Sequence, residues 1–433
     1  MKLTPSLISF NVTIVVLLIT LPLLFTGCWD RREIQFLNVV TGLGFDQIMV
    51  GDQPKIRLSI LTQQPASLEE TKGAGGAGGS SGKAGILGAG RVISFEGETI
   101  SDALRQSGLR TSRQLFMSHT QVIIIGEELA KKGIAPVVDF ATRHKDINLR
   151  TLVMVCEGTA FETLQSQPEI EGLTTSEIKG ISKFLHRSSM AASANLFNVL
   201  YDLMTPGREP AVSYLRTITP LEESSPIKQP DNNTQNRANS VTEGRSEEGG
   251  VPPQHKTPVI EGSAIFSGNK MVGLLDPEES QGFLLITNQA GSGVIPVAYA
   301  ATQKDTSYLF RNVKTQVNPV INYNGITFVV NLKGQGDFRE SDTVIELNEE
   351  NIRKLEELIN QEVEYRCLKA VTKIQAIGAD ALGFGDILYR LNPKVWKDIK
   401  DQWDEIFPTV RVQVQADFQI KHTGLVEDII TIN

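Results

Sequence analysis

The chain has 433 residues, 40% of them hydrophobic and 21% charged, which exceeds one compact core and predicts two or three domains. Its net charge of −8 excludes the broadly basic surface of a nucleic-acid binder. Its cysteines, Cys28, Cys156 and Cys367, lie far apart with no CxxC or Cys/His spacing, which excludes a structural zinc site.

The chain opens with Lys2 and an apolar stretch from Leu7 to Phe25, interrupted by Asn11, Thr13 and Pro22. A permanent span of about 20 residues would leave Arg31 and Arg32 on the translocated side, against only Lys2 and the amino terminus inside. The positive-inside rule gives that arrangement little support. A secretory signal over residues 1–27 is the better reading, with an uncleaved membrane anchor as the alternative. Thr26, Gly27 and Cys28 resemble the bacterial lipobox, in which the cysteine thiol receives a diacylglyceryl group before cleavage. Phe25 departs from the leucine usual in that pattern. Each buried methylene contributes about 0.8 kcal/mol, so two acyl chains hold a water-soluble body durably where one does not. Cys28 is therefore the expected lipidation site, and everything after it is expected outside the cytoplasmic membrane. Trp29, Asp30 and Arg31 beside the lipid are candidates for contact with the bilayer interface or a partner. The other reading of this segment is a lead-in to the first strand, packed on its own domain.

Strands are predicted from Ile34 to Phe45 and over 55–64, where Ile56, Leu58 and Ile60 alternate with polar neighbours. Residues 71–90, "TKGAGGAGGSSGKAGILGAG", have almost nothing to bury and read as a flexible loop. Two motifs in it are decoys. "AGGSSGKA" mimics a phosphate-binding loop, but Ala77 replaces its first glycine and Ala84 its magnesium-binding hydroxyl. "GGSSG" satisfies GxSxG without the strand before and helix after that a nucleophile elbow needs.

A short helix is predicted over 98–110, capped by Ser101 and ended by Gly108. An apolar run, Val122 to Ile125, feeds a second helix; Pro136 opens a third; and 148–158 returns to strand, with Cys156 as a small buried hydrophobe. This β-α-α-β alternation predicts a mixed α/β domain with a covered sheet. A helix over 193–204 ends at Pro206. Residues 222–256 are polar and poor in aliphatics, so disorder is expected. Strands resume at 259, with "SGNK" as a hairpin turn, and 308–317 and 326–336 alternate like antiparallel strands. The strongest signal is 348–377: Asn348 as N-cap, Glu349 and Glu350 in the first turn, and an apolar stripe from Ile352 to Ile377 with Gly378 beyond. The stripe predicts packing against a sheet in preference to a partner-binding face. One further helix is predicted over 393–407 between Pro393 and Pro408, then a half-exposed strand over 409–424.

His119, His144, His186, His255 and His422 are scattered, no carboxylate pair stands out, and no sequence signal points to an enzyme, a metal site or a cofactor.

With both ends read, the chain resembles the GerC-type spore germination lipoproteins, the C subunits of nutrient germinant receptors in endospore-forming bacteria. The resemblance rests on "GCWDRREIQFLNVVTGLGFD", "LFMSHTQVIIIGEELAKKGIAPVVDFATRH", "GSAIFSGNKMVGLLDPEESQG" and the block from Ala376 to Gly424, in that order along nearly the whole chain. It departs at Phe25, at the glycine-rich 73–90 and around 222–256, which look like loop insertions. The resemblance implies an α+β fold of three domains, each a mostly antiparallel or mixed sheet flanked by helices. The expected boundaries are 28–205, 206–305 and 306–433. It implies a non-enzymatic subunit without cofactor, lipid-anchored to the outer face of the cell or spore inner membrane. There it would dock on integral-membrane A and B subunits and support nutrient-triggered germination. The alternative from another class is a lipid-anchored solute-binding protein of a transporter, which predicts two similar parallel-sheet lobes around a cleft.

Overall fold

A computed structural model describes residues 36–63, 90–219, 256–299, 306–323, 325–341, 345–346 and 348–422. The signal segment, Cys28, Trp29, Asp30, Arg31, all of the glycine-rich stretch but Gly90, and 222–255 lie outside the described residues.

Uninterrupted aliphatic runs bury both faces of a strand, and such runs become the centre of the larger sheet. In β5 (Val122–Gly126) every residue is buried, and β6 (Leu152–Cys156) is nearly so. They run parallel to β1 (Leu37–Val50) on one side and to β7 (Ala211–Ile218) on the other. Antiparallel strands extend this core: β2 (Gln53–Gln63) and β3 (Arg91–Gly97) beside β1, β8 (Thr257–Ser267) and β9 (Lys270–Leu275) beside β7. A ninth strand, β4 (Gln114–Phe116), pairs parallel with the first residues of β1, so that Leu37 faces Gln114. The predicted 259-onward hairpin is β8–β9, turning at Gly268 with φ of 53°.

Helices cover both faces. Ile123 and Ile125 point to the side packed by α1 (Ile100–Arg110), α3 (Ala135–Arg143) and α6 (Leu196–Met204), which follow in order around the short α2 (Glu127–Lys132). Val122 and Ile124 point to the other side, under α4 (Ala160–Gln165) and α5 (Thr174–Ser188). Gly42 and Gly44 of β1 let these two helices close in. A Cβ on Gly42 would run into the Thr175 methyl, and one on Gly44 would meet Leu164 and Ala160. The caps differ from the sequence reading in α1. Thr99, not Ser101, accepts from the Asp102 N–H, because Thr99 is the last extended residue. Gly108 lies inside the helix, which runs on to Arg110.

The second sheet has the order β10 (Ser292–Val297), β11 (Thr306–Asn322), β12 (Gly325–Ser341), β13 (Arg411–His422). The first three are antiparallel, and β13 joins β12 in parallel. Strands from 206–305 thus divide between the sheets, β7 to β9 in the larger and β10 in the smaller. α7 (Pro277–Ile286) and the long α8 (Glu349–Ile377) pack on this sheet. Asn348 caps α8 and Gly378, at φ of 79°, ends it, as the sequence predicts. Its stripe Leu355, Ile359, Val363, Cys367, Ala370 and Ile374 is buried in the core. The crossing with α7 is close because Gly282 has no Cβ to strike the Arg366 carbonyl.

The helix expected over 393–407 is broken into α10 (Pro393–Ile399), a 3-10 turn at Lys400–Gln402 and α11 (Trp403–Ile406), preceded by α9 (Phe384–Leu391). Tertiary packing sets the break. It turns Trp396, Trp403 and Phe407 together into one aromatic cluster with Phe384, which stacks on Phe328 at 4.2 Å.

Candidate functional sites: the amino-terminal end, the junction and the covered edge

Three places carry chemistry that the fold itself assembles. The first is the end of the larger sheet where the chain arrives. Phe36 lies eight positions after Cys28 and is 62% exposed. An extended segment of that length reaches at most about 26–29 Å. A lipid on Cys28 would therefore hold the amino-terminal ends of β1 and β4 within that distance of a bilayer. The four residues singled out from the sequence, Cys28, Trp29, Asp30 and Arg31, all precede the described part.

The second is the junction between the larger sheet and the α9–α11 cluster. Arg208 places its guanidinium 2.8 Å from Asp202 and 3.7 Å from Asp386, and Arg390 pairs with Asp386 at 3.2 Å. The backbone closes the same joint: Asp386 donates to the Gly207 carbonyl and Glu209 to that of Asp380. Gly207, at φ of 69°, sits against Gly385 and Trp396 where no side chain fits. The Asp380 carboxylate is buried and accepts three hydrogen bonds, from Phe384 N–H at 3.0 Å, Gly385 N–H at 2.7 Å and the Trp403 indole at 3.0 Å. Glu209 accepts from Gly268 N–H at 2.6 Å. Burial pushes all three carboxyls up: Glu209 to about 7, helped by Asp404 and Asp380, and Asp202 and Asp380 each to about 6. A cleft of about 430 Å³ opens beside them, walled also by Phe197 and Tyr201. These acids come from segments nearly two hundred residues apart, and no spacing in the sequence could have joined them. Each has a structural partner, so the arrangement acts as a joint that fixes the aromatic cluster to the larger sheet.

The third is the outer edge of β13. An uncovered strand edge is a template for pairing with another chain. Here α8 supplies the missing acceptors. Glu356, Asn360 and Glu364, four apart on the helix, accept from the N–H groups of Ile420, Phe418 and Ala416, two apart on the strand, at 2.8, 2.7 and 3.0 Å. The match works because four helical residues rise about 6 Å and two strand residues about 6.6 Å.

The cysteines behave as the sequence predicts for Cys156: it is free and buried, its thiol pushed up to about 12 by burial, and buried Cys367 is raised likewise. Among the described residues no group of three or more His, Cys, Asp or Glu side chains could hold a metal ion. None of the described helices is long and apolar enough to cross a membrane.

The family matches divide the chain inside the larger sheet, between the end of β7 and the first residues of β8. Residues 30–217 match the spore germination protein N-terminal domain, and 261–424 match the spore germination B3/GerAC-like C-terminal domain. Among relatives, the spore germination protein YndF of Bacillus subtilis (strain 168) is 25% identical over 418 residues, covering 93% of this chain and 94% of the relative. Spore germination protein KC of the same organism is 24% identical over 420 residues, covering 95% of each. The crystal structure of the GerBC protein shares the fold, with a TM-score of 0.51 at 17% identity over 90% of this chain and 100% of that one. The mixed α/β architecture, with helices flanking two sheets, is that of GerBC. Two family domains in order, spanning most of the sequence, establish that this chain belongs to the GerAC family of spore germination proteins.

Proposed function

We propose that the chain is the lipid-anchored C subunit of a nutrient germinant receptor. In this reading, acylated Cys28 tethers it to the outer face of the cell or spore inner membrane. The folded body docks on the integral-membrane A and B subunits and supports nutrient-triggered spore germination without catalysing a reaction. The observation that carries this is the match of both family domains to one continuous chain whose first domain begins two positions after Cys28. The solute-binding alternative called for two similar parallel-sheet lobes. The two sheets are dissimilar instead, nine strands around a parallel core and four strands mainly antiparallel.

The test is Cys28→Ala expressed at native level. Loss of fatty-acid labelling and release from the membrane fraction are expected, together with weakened nutrient germination and loss of co-purification with the membrane subunits. Undiminished labelling in the variant would exclude Cys28 as the anchor. Normal germination of spores lacking this gene and any redundant copy would exclude the receptor role.

A further inference from the structure

The end of the larger sheet nearest Cys28 along the chain carries four exposed cations. Arg113 immediately precedes β4, whose Gln114 pairs with Leu37, so its backbone sits beside Phe36. Arg110 closes α1 three residues earlier. Arg150 leads into β6 next to the turn before β5, where the Thr151 hydroxyl donates to the Thr120 carbonyl and Leu152 N–H to that of Gln121. Lys145 follows α3 in the same loop. All four are exposed, and none has an ion-pair partner among the described residues, although Arg110 also donates to the Ser94 carbonyl at 3.1 Å and lies over the Phe95 ring. Their neighbours Arg105 and Arg143, higher on the same helices, are instead neutralised by Asp102 and Asp139. The acid in this group of loops is Asp146. Glu171 lies across the sheet, in the cleft that Gly90 and Arg91 line.

Single apolar side chains stand among these cations. Leu109 is 86% exposed and Leu149 42%, and Phe197, whose N–H donates to the Leu149 carbonyl, is 54% exposed. The connecting segment from Trp29 to Gln35 carries two acids and two bases and adds no net charge, so the positive field belongs to the folded body.

We infer that this face is a second membrane contact: Arg110, Arg113, Lys145 and Arg150 lie on anionic lipid headgroups, with Leu109 and Leu149 inserted between them. The inference rests on the lipid tether proposed above. Two observations and the proposed tether select a bilayer as the occupant. The tether would place this end within reach of the membrane; exposed cations without acidic partners, on a chain of net charge −8, complement an anionic leaflet; and isolated apolar side chains among cations match an interface better than a packed protein surface. The body would then stand with this end of the larger sheet on the lipid, its orientation fixed, where a tether alone would leave it free to rotate.

The experiment reconstitutes the full-length lipidated protein in two kinds of vesicle, phosphatidylcholine alone and phosphatidylcholine mixed with phosphatidylglycerol. Amide hydrogen exchange is followed at 109–113 and 145–150. Each basic side chain near an anionic leaflet strengthens the contact by about fivefold. Exchange in both loops should slow by roughly tenfold or more on the anionic vesicles only, revert at high salt, and revert in Arg113→Glu/Arg150→Glu. Both substituted positions are exposed, and an unchanged urea midpoint for the variant would separate lost contact from lost folding. Equal exchange on the two vesicle types would overturn the inference, as would protection that appears only when membrane subunits are added. Flotation with pure phosphatidylcholine vesicles reports on the anchor alone. Its loss, with anionic protection intact, would remove the lipid on Cys28 and leave the basic face standing.

Discussion

Replacing Asp380 with alanine isolates what the junction contributes. The buried carboxylate satisfies three donors, and each one stranded without acceptor or water costs about 1–3 kcal/mol, roughly 6 kcal/mol for all three. Against this stands the penalty of burying the charge. The rise of its pKa from 3.8 to about 6 corresponds to about 3 kcal/mol at neutral pH, which the substitution returns. The difference predicts a net loss of about 3 kcal/mol, a large part of the 5–15 kcal/mol typical of a folded domain. Asp380→Asn removes the charge but keeps one acceptor oxygen, so it should lose less, about 1–2 kcal/mol. Urea unfolding followed by circular dichroism measures the loss, and tryptophan fluorescence reports on Trp403 directly. A loss below about 1 kcal/mol for the alanine variant would refute the reasoning, because it would mean that water reaches the three donors.

Three further outcomes are expected. Glu209, Asp202 and Asp380 have folded pKa values above their unfolded ones, so their charged forms oppose folding; the penalty is full above about pH 7 and gone near pH 4. Stability should therefore rise by on the order of 3 kcal/mol from about pH 7.5 to about pH 5, and Glu209→Gln should reduce that rise in thermal melts across pH. Gly42→Ala should destabilise by about 1–3 kcal/mol, since the new methyl meets Thr175 and Leu164 beneath α5; an unchanged urea midpoint would contradict the close packing. The triple variant Glu356→Ala, Asn360→Ala, Glu364→Ala bares three N–H groups on β13 and should dimerise with rising concentration in sedimentation velocity, where a monomer at every concentration would count against a protected edge.

Some features were settled locally, by residues close in the chain. The apolar repeat from Ile352 to Ile377, with Asn348 before it and Gly378 after, determines a helix whatever surrounds it, because caps and periodicity act within a few turns. The run at Val122–Ile125 demands a strand covered on both faces for a similar reason. The ordered blocks that resemble spore germination proteins are also sequence-level facts, and the family domains agree with them. Other features depend on residues that meet only after folding. The break of 393–407 follows from turning Trp396 and Trp403 onto Phe384 and Phe407, and nothing in the local pattern forbids one longer helix. The parallel seat of β13 beside β12 depends on α8 reaching across with Glu356, Asn360 and Glu364. The carboxylates around Arg208 and the cations beside Phe36 are dispersed along the chain, and Coulomb interactions depend on distance in space. Sequence alone determined most of the elements, the caps of α8 and the family resemblance. Which charges share a surface, and which are left without a partner, was decided by the tertiary structure.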